Sequence, residues 1–386
     1  MGRQRQGARG VGQMALLTLL MTACAGADAP PTPVESLWQD DLPVGPHPVG
    51  FRTEVGERQA ETGPRTVTLA VWYPAVDGAA GTPVRIADYF DLVVAEGLLT
   101  ETDGLTRPAG FTAAMTGSGT ALSDSAATAA LDLVGVASSE APEADGAAPL
   151  ILWSSRHATV LAQAPMAEAL ASHGYVVATA WSSDPPIAFL WEDHPPEEKV
   201  ETIERHADDL RWAIDRLRAA PNVDASAVVV VAWSYGGQTA GRIQETEPAV
   251  RGTIALDANI LPSRPEESLR LTRPLVQVVG GDRGRRGLEG ADTLGQSLAV
   301  LRFPELAHGS FNALEGYLPE RLGTSSVYSW SQQGPAAHLG YRDLVRVVLG
   351  AADLLTSSDS VDLSGWASRL PAALETPLDV SLHPND

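Results

Sequence analysis

Residues 228–237 read VVVVAWSYGG. The four valines form a continuous apolar run, which is typical of a strand that is buried in a parallel sheet. Ser234 then falls on a tight turn at the carboxyl end of this strand, where its hydroxyl group is held out from the edge of the sheet. Gly236 and Gly237 let the chain turn sharply and bring the next helix close. The segment predicts an exposed serine between a strand and a helix, although a serine that only caps an ordinary turn is the alternative.

Strands and helices alternate around this segment. Residues 66–74 are β-rich and alternate in polarity, so we expect an early antiparallel strand there. Further strands are predicted at 149–153, 175–180, 227–232, 253–256, 274–279 and 298–303, and helices at 161–172, 197–219, 238–247 and 341–355. Such regular alternation predicts the α/β class, with a mostly parallel central sheet and helices on both faces.

The sequence predicts one large domain between shorter terminal segments. Residues 24–46 are rich in alanine, proline and aspartate, which predicts a flexible tether. The α/β domain is expected at 47–355, and residues 356–386 form a C-terminal extension. Within the domain, residues 75–147 are dominated by small side chains, so we expect short helices or a mobile insertion there.

Composition excludes several classes of function. The chain has 386 residues and a formal net charge of −21, which disfavours a nucleic-acid partner because binding to phosphates needs a positive surface. Lys199 is the only lysine, which disfavours a Ser-Lys catalytic pair. Cys24 is the only cysteine, so neither an intrachain disulfide nor a multi-cysteine zinc site can form.

The first 23 residues have the layout of an export signal. Basic residues at 3, 5 and 9 precede a short apolar stretch at 14–21, and small residues then lead to Cys24. The end of this segment resembles the lipobox of bacterial lipoproteins. That resemblance implies cleavage before Cys24, lipid attachment to its thiol, and a cell-envelope lipoprotein held at a membrane, with a plain secretory signal as the alternative. The apolar stretch is shorter than the roughly 20 residues that span a bilayer.

A serine hydroxyl is a weak nucleophile and needs a general base, usually a histidine that a carboxylate orients. His308, His338 and His383 follow Ser234 in the sequence. His308 lies in a loop after the last candidate strand, at the sheet edge where the base must stand, and is the predicted base. His338, near the start of the closing helix, is the alternative, whereas His383 falls in an expected disordered tail.

Two aspartates are candidates for the orienting carboxylate. Asp257 ends the predicted strand at 253–256, and Asp282 follows the next strand at 274–279. An aspartate after a strand also often caps a turn. The residues alone leave both candidates open.

Several stretches between residues 47 and 312 resemble the platelet-activating-factor acetylhydrolase and dienelactone-hydrolase-like family of α/β-hydrolases. They read HPVGFR at 47–52, VWYPA at 71–75, PLILWS at 149–154, ASHGYVV at 171–177, AWSYGG at 232–237, GTIALD at 252–257 and HGSF at 308–311. The stretch at 232–237 is similar to the nucleophile elbow of these enzymes, normally G-x-S-x-G, with Ala232 in place of the first glycine.

This resemblance implies an α/β-hydrolase fold and a triad of Ser234, Asp257 and His308. In the acetylhydrolase branch the acid follows an Ile-Ala-Leu segment, which favours Asp257 over Asp282. Ester hydrolysis by such a triad needs no metal and no organic cofactor, so none is predicted.

An oxyanion hole requires two backbone N–H groups that point at the developing negative charge. The resemblance implies Tyr235 as one donor and, by register, His157 as the other. The family usually shows Ser-His-Gly where this chain reads SSRH at 154–157. Because the donors are backbone groups, changed side chains need not abolish them, although a loop that no longer serves catalysis is the alternative.

The sequence therefore predicts a serine carboxylic-ester hydrolase that works through an acyl-enzyme, on short-acyl lipids or other small esters. A non-catalytic binding lipoprotein of the same fold and a serine peptidase of the same fold are the alternatives.

Two further groups of residues invite functional hypotheses. Asp193-His194 and the stretch His206-Ala207-Asp208-Asp209 contain side chains that could bind a metal. However, Glu204, His206 and Asp209 lie on a predicted helix with charges along one side, which favours a solvated face. Four tryptophans fall near predicted strand ends and either line an apolar acyl pocket or pack in the core, namely Trp153, Trp181, Trp191 and Trp233.

Overall fold

The structure is a computed structural model of the chain. It describes residues 38, 41–61, 63–78, 81–95, 104–117, 122–155, 159–182, 196–260, 271–281, 298–322, 336–357 and 361–383. The predicted signal peptide and the predicted lipidation site at Cys24 lie outside these ranges.

Eleven strands in the described part of the chain form a single sheet. They are β1 (Val49–Ala60), β2 (Gly63–Pro74), β3 (Thr82–Arg85), β4 (Val134–Ser139), β5 (Ala148–Ser154), β6 (Val176–Ser182), β7 (Val223–Trp233), β8 (Val250–Leu256), β9 (Leu275–Gly280), β10 (Leu298–Phe303) and β11 (Asp379–His383). Their order across the sheet is β11-β10-β9-β8-β7-β5-β6-β2-β1-β4-β3. Strands β5 to β10 run parallel, whereas β11 and the β1–β2 pair join this centre in antiparallel orientation.

Helices cover both faces of this sheet, which confirms the predicted α/β class. They are α1 (Ile86–Ala95), α2 (Arg107–Gly117), α3 (Asp124–Leu131), α4 (Thr159–Ser172), α5 (Pro196–Arg218), α6 (Gly236–Thr246), α7 (Leu318–Arg321), α8 (Ala336–Ser357) and α9 (Leu363–Ala367). A 3₁₀ turn at His308–Phe311 and a π-helix at Ala313–Tyr317 lie between β10 and α7. None of the helices in the described ranges combines the length and the apolar character that a membrane crossing requires.

The valines of β7 show why this strand is continuously apolar. Val228 and Val230 pack on one face against α5 and α6, whereas Val229 and Val231 pack on the other face with α4 and α8. All four side chains are fully buried. Burial of each stabilises the fold by about 1.5 to 3 kcal/mol, and together they hold the end of β7 in the centre of the sheet.

The structure places the borders of the domain differently from the sequence-based prediction. Trp38 is fully buried and Asp41 contacts His338 on α8, so the described end of the predicted tether packs against the domain. The predicted C-terminal extension contributes α9 and β11, and its His383 pairs with Leu298 of β10. The expectation of a disordered tail at His383 is therefore wrong.

The predicted insertion at 75–147 forms short elements in its described parts. It contains β3, α1, α2, α3 and β4, and β3 and β4 extend the sheet at its outer edge. Small side chains do not prevent a core here, because α1 contributes buried aromatic residues such as Tyr89 and Phe90.

Candidate active site

Ser234 stands at the carboxyl end of β7, on a backbone turn that few residue types adopt. Its φ angle is +56°, in the left-handed region that is uncommon for side chains other than glycine. Its N–H donates to the carbonyl oxygen of Leu256 at 3.2 Å, and its own carbonyl accepts from the N–H groups of Gly237 and Asn259, each at 3.2 Å. The end of the neighbouring strand and the start of α6 therefore hold the serine in this conformation.

The two glycines after the serine are required by close contact with the backbone. A Cβ atom on Gly236 would lie 2.1 Å from the carbonyl oxygen of Ser154, and one on Gly237 would lie 2.7 Å from that of Asn259. The Ser154 hydroxyl also donates to the Gly236 carbonyl at 2.9 Å. The first turn of α6 is thus packed directly against the ends of β5 and the segment after β8.

Three side chains from three different parts of the chain meet at this edge. Nε2 of His308 lies 2.9 Å from the Ser234 hydroxyl oxygen, and Nδ1 of His308 lies 2.5 Å from Oδ2 of Asp257. His308 begins the 3₁₀ turn after β10, and Asp257 directly follows β8. The structure therefore brings together the three residues that the sequence and the resemblance predicted for the triad.

The carboxylate of Asp257 is fixed from two directions. The Oδ1 atom of Asp257 accepts a hydrogen bond from the N–H of Gly280 at 3.2 Å. The backbone N–H of Asp257 donates to the carbonyl oxygen of Val278 at 2.6 Å. Its side chain is 7% exposed and its φ angle is +42°. Because the carboxylate accepts from Nδ1–H, the lone pair of Nε2 faces the serine hydroxyl, which is the tautomer that a general base needs.

Of the two predicted oxyanion-hole donors, Tyr235 lies within the described residues. It is the N-cap residue of α6, so its backbone N–H lies at the start of a helix beside Ser234. Strand β5 pairs with β7 so that Ser154 is opposite Ala232, which puts the end of β5 next to the turn at Ser234. The predicted donor His157 and the alternative acid Asp282 lie outside the described residues.

The other candidate histidines take no part in this arrangement. Nε2 of His338 lies 2.7 Å from Asp41, and its ring stacks on Tyr317 with 4.9 Å between centroids. His383 pairs within the sheet in β11. His338 thus joins α8 to the N-terminal segment, and the hypothesis that it is the base is not supported.

The prediction that Asp209 and His206 lie on a solvated face of α5 is wrong, because the two residues are only 2% and 8% exposed. Nε of Arg58 donates to Asp209 at 2.8 Å, and the hydroxyl of Ser182 does so at 2.8 Å. Burial raises the pKa of Asp209, while these donors favour its charged form. Arg58 reaches α5 from β1, a partner that the helix sequence alone does not reveal.

Among the residues that the structure describes, no group of three or more histidine, cysteine, aspartate or glutamate side chains is placed to hold a metal ion. Glu204 pairs with Arg242 at 3.0 Å, which gives it an ion-pair partner on α6. Asp193 and His194 lie outside the described residues.

The tryptophans divide between the core and the candidate site. Trp153 is 1% exposed in β5 and Trp181 is 9% exposed in β6, while Trp191 lies outside the described residues. Trp233 directly precedes Ser234, and its indole stacks on the ring of His308. Sequence reasoning missed this contact, because nothing in a single strand indicates which side chain of a distant loop will cover it.

The chain is similar in structure to the ferulic acid esterase of Streptomyces cinnamoneus. The two share 20% sequence identity with a TM-score of 0.58, over 88% of this chain and 97% of that chain. Together with the sheet topology, this likeness shows that the chain has the α/β-hydrolase fold. A scan against protein-family models finds no match, and a search of curated proteins finds none either.

Proposed function

We propose that this protein is a serine carboxylic-ester hydrolase. The observation that carries the proposal is the hydrogen-bonded line from Ser234 through His308 to Asp257, built on a strained turn at the carboxyl edge of the sheet. A serine that only capped a turn would not need a histidine on its hydroxyl or a carboxylate behind that histidine.

The reaction proceeds in two halves. Ser234 Oγ attacks the ester carbonyl carbon and passes its proton to Nε2 of His308, which then gives that proton to the leaving alcohol as the carbon–oxygen bond breaks. An acyl group is now attached to Ser234. A water molecule attacks this acyl group, its proton goes to Nε2, and return of the proton to Ser234 Oγ releases the carboxylic acid.

Asp257 stabilises the imidazolium that forms in both halves. Its Oδ1 is bonded to the Gly280 N–H, so the carboxylate cannot turn away from the ring without losing that bond. The negative oxygen of each tetrahedral intermediate would be bound by the backbone N–H groups of Tyr235 and His157. Loss of one such donor costs roughly 100- to 1000-fold in rate.

Two considerations support an ester rather than a peptide substrate. The sequence resembles acetylhydrolases, which favours a short acyl group on a lipid or another small ester. The similar solved structure belongs to a protein that is named a ferulic acid esterase. We propose no cofactor and no metal for this reaction, because the triad and two backbone donors supply every proton transfer and charge contact that it needs.

The test is hydrolysis of p-nitrophenyl acetate and butyrate by the purified full-length protein. We expect turnover that Ser234→Ala abolishes, and covalent labelling of Ser234 by a fluorophosphonate. Ser226→Ala is the control, because Ser226 is an exposed serine at the other end of β7 and its loss should leave the rate unchanged. A parent protein with neither turnover nor labelling would favour the binding-lipoprotein alternative, and cleavage of peptide substrates alone would favour the peptidase.

We also propose that the chain is exported and anchored through a lipid on Cys24. Wild type should then partition with membranes, whereas Cys24→Ala should be released or remain uncleaved. Release of a processed wild-type protein into the soluble fraction would support the secretory alternative.

A further inference from the structure

The indole of Trp233 lies against the imidazole of His308. The two ring centroids are 5.3 Å apart and the planes are inclined by 22°, which is a stacked arrangement. The indole N–H also points to the carbonyl oxygen of His308, at 3.4 Å. Trp233 is 9% exposed although it ends β7 at the carboxyl edge of the sheet. His308 and its loop therefore help to shield its side chain from solvent.

This contact restrains a motion that the two hydrogen bonds of His308 leave open. The bonds to Asp257 and Ser234 lie at the ring nitrogens and fix where those atoms point. Neither bond covers a face of the ring, so the imidazole can still tip about the line that joins its bonded atoms. The flat indole blocks that tipping on one side, and the side chain of His308 is 20% exposed, so the remaining surface is partly open to solvent.

The two halves of the reaction place different demands on this restraint. Before acylation, the Ser234 hydroxyl is a third point of attachment for the ring. After acylation, Oγ carries the acyl group and no longer donates a hydrogen bond, so the contacts described here that still orient His308 are those with Asp257 and Trp233. The ring must then hold Nε2 in position to accept a proton from water.

We infer that Trp233 is a positioning residue for His308 and acts mainly in hydrolysis of the acyl-enzyme, an inference that rests on the proposed function. The face of an indole also attracts a cation within about 6 Å of its centroid, with an effect of roughly 2- to 30-fold on an equilibrium. The imidazolium that forms in each half reaction lies within that range. The stacked indole is therefore close enough to attract this transient imidazolium as well as to orient the ring.

The experiment measures p-nitrophenyl butyrate hydrolysis by the full-length protein, in the steady state and in the first turnover. For Trp233→Leu we expect kcat to fall about 10- to 100-fold, since a displaced catalytic group costs up to about 100-fold. The value of kcat/KM, which reports acylation, should fall less, about 3- to 10-fold. The apparent KM should therefore decrease, and a burst of p-nitrophenol equal to the enzyme concentration should precede slow turnover.

Two other substitutions at this position separate an aromatic contact from simple filling of space. Trp233→Phe keeps an aromatic face and should restore kcat to within about 3-fold of wild type. Trp233→Met fills space without that face and should behave as the leucine variant does. Should the leucine variant fail to fold, the pair of phenylalanine and methionine variants carries the same comparison.

Trp72→Leu is the matched control. Trp72 is 1% exposed in β2, and its indole N–H also donates a hydrogen bond, to Tyr89 at 2.9 Å. Its loss should lower the melting temperature and leave kcat of the folded protein unchanged. A general effect of losing a buried tryptophan would instead appear in both proteins.

The outcomes distinguish this inference from the proposed function. Equal decreases in kcat and kcat/KM, no effect of Trp233→Leu, or a phenylalanine variant no better than methionine would overturn the positioning role while Ser234-dependent hydrolysis stands. A wild-type protein without ester turnover would overturn the proposed function and the positioning role together.

Discussion

Asp257 and Glu168 are both carboxylates with little access to solvent, but their surroundings differ in kind. Asp257 lies at the carboxyl edge of the sheet and divides its two oxygens between a backbone N–H and the ring of His308. Glu168 lies in the middle of α4, is fully buried, and is bonded only to groups that keep their protons during any proposed step.

Glu168 joins parts of the chain that are far apart in sequence. Its Oε2 accepts from the indole N–H of Trp38 at 2.6 Å and from the N–H of Val136 at 2.6 Å and of Ala137 at 3.3 Å. Its Oε1 accepts from the hydroxyl of Tyr89 at 2.7 Å. The carboxylate thus fastens the N-terminal segment, α1 and β4 to one helix.

The two carboxylates differ in the kind of hydrogen-bond partner that they hold. Most of the donors to Glu168 are themselves buried, so its displacement would leave several buried polar groups without partners. In the proposed reaction, one oxygen of Asp257 holds a ring whose charge changes in each half reaction. A carboxylate can assist chemistry when one of its partners gains and loses charge, and it stabilises the fold when none does.

The largest expected effect is on catalysis. Asp257→Asn should reduce kcat for p-nitrophenyl butyrate by about 10⁴-fold, because an amide that faces Nδ1 favours the wrong tautomer of His308. The melting temperature should change little, since Asn can still accept a bond from the Gly280 N–H. Asp282→Asn is the matched variant, and a larger loss there than at Asp257 would reassign the acid.

The second effect is on stability. Glu168→Leu should lower the free energy of unfolding by about 3 to 5 kcal/mol, because it removes the acceptor for several buried donors. The kcat of the folded fraction should stay close to wild type, as measured after correction for active sites by fluorophosphonate titration. Glu168→Gln retains one carbonyl oxygen and should lose less stability, whereas a loss of kcat without a change in the unfolding curve would contradict the assigned role.

Asp257 and Glu168 also show how much of the fold and of the candidate site the sequence could predict. Ser234, His308 and Asp257 each follow a predicted strand. Because the carboxyl ends of parallel strands lie at one edge of a sheet, the sequence indicates that the three residues share that edge. The motif around Ser234 is a local pattern and can be recognised from the sequence. The preference for Asp257 over Asp282 came from the resemblance to acetylhydrolases and not from the residues. Seven of the eleven described strands and four of the nine described helices are predicted to within about five residues, because buried runs and amphipathic segments are local patterns. No strand is predicted at β1, β3, β4 or β11.

Long-range polar contacts could not be predicted in this way. Glu168 is one polar position in an alanine-rich helix, and two of its partners are 130 and 79 residues away. Asp209 likewise depends on Arg58, 151 residues earlier, so its helix was predicted to expose it. The described end of the predicted tether was misread for the same reason, since only the fold reveals what Trp38 packs against.

A smaller effect should appear in the pH dependence of stability. Burial raises the pKa of Glu168 above its ordinary value of 4.5, although its four donors oppose the shift. An acid whose pKa is raised on folding binds its proton more tightly in the folded state. Its contribution to stability is therefore fully present below pH 4.5 and is lost as the pH rises through the pKa of the folded state. The free energy of unfolding of wild type, measured relative to Glu168→Gln by urea titration, should therefore decrease as pH rises from about 4 to 7. An increase over that range would show that the hydrogen bonds outweigh burial.

The smallest effect should come from a carboxylate that is neither buried nor catalytic. Asp215 on α5 is paired with Arg218 at 2.5 Å, but the two side chains are 68% and 49% exposed. Water screens such a pair, and exposed ion pairs contribute about 0 to 1 kcal/mol. Asp215→Asn should therefore shift the free energy of unfolding by less than about 0.5 kcal/mol and leave kcat unchanged. Arg218 also lies 3.5 Å from Glu247, so it keeps an acidic neighbour after the substitution. If Asp215→Asn changed the free energy of unfolding as much as Glu168→Leu does, the stabilising factor would be negative charge itself. It would then not be the hydrogen bonds that a carboxylate accepts from buried donors.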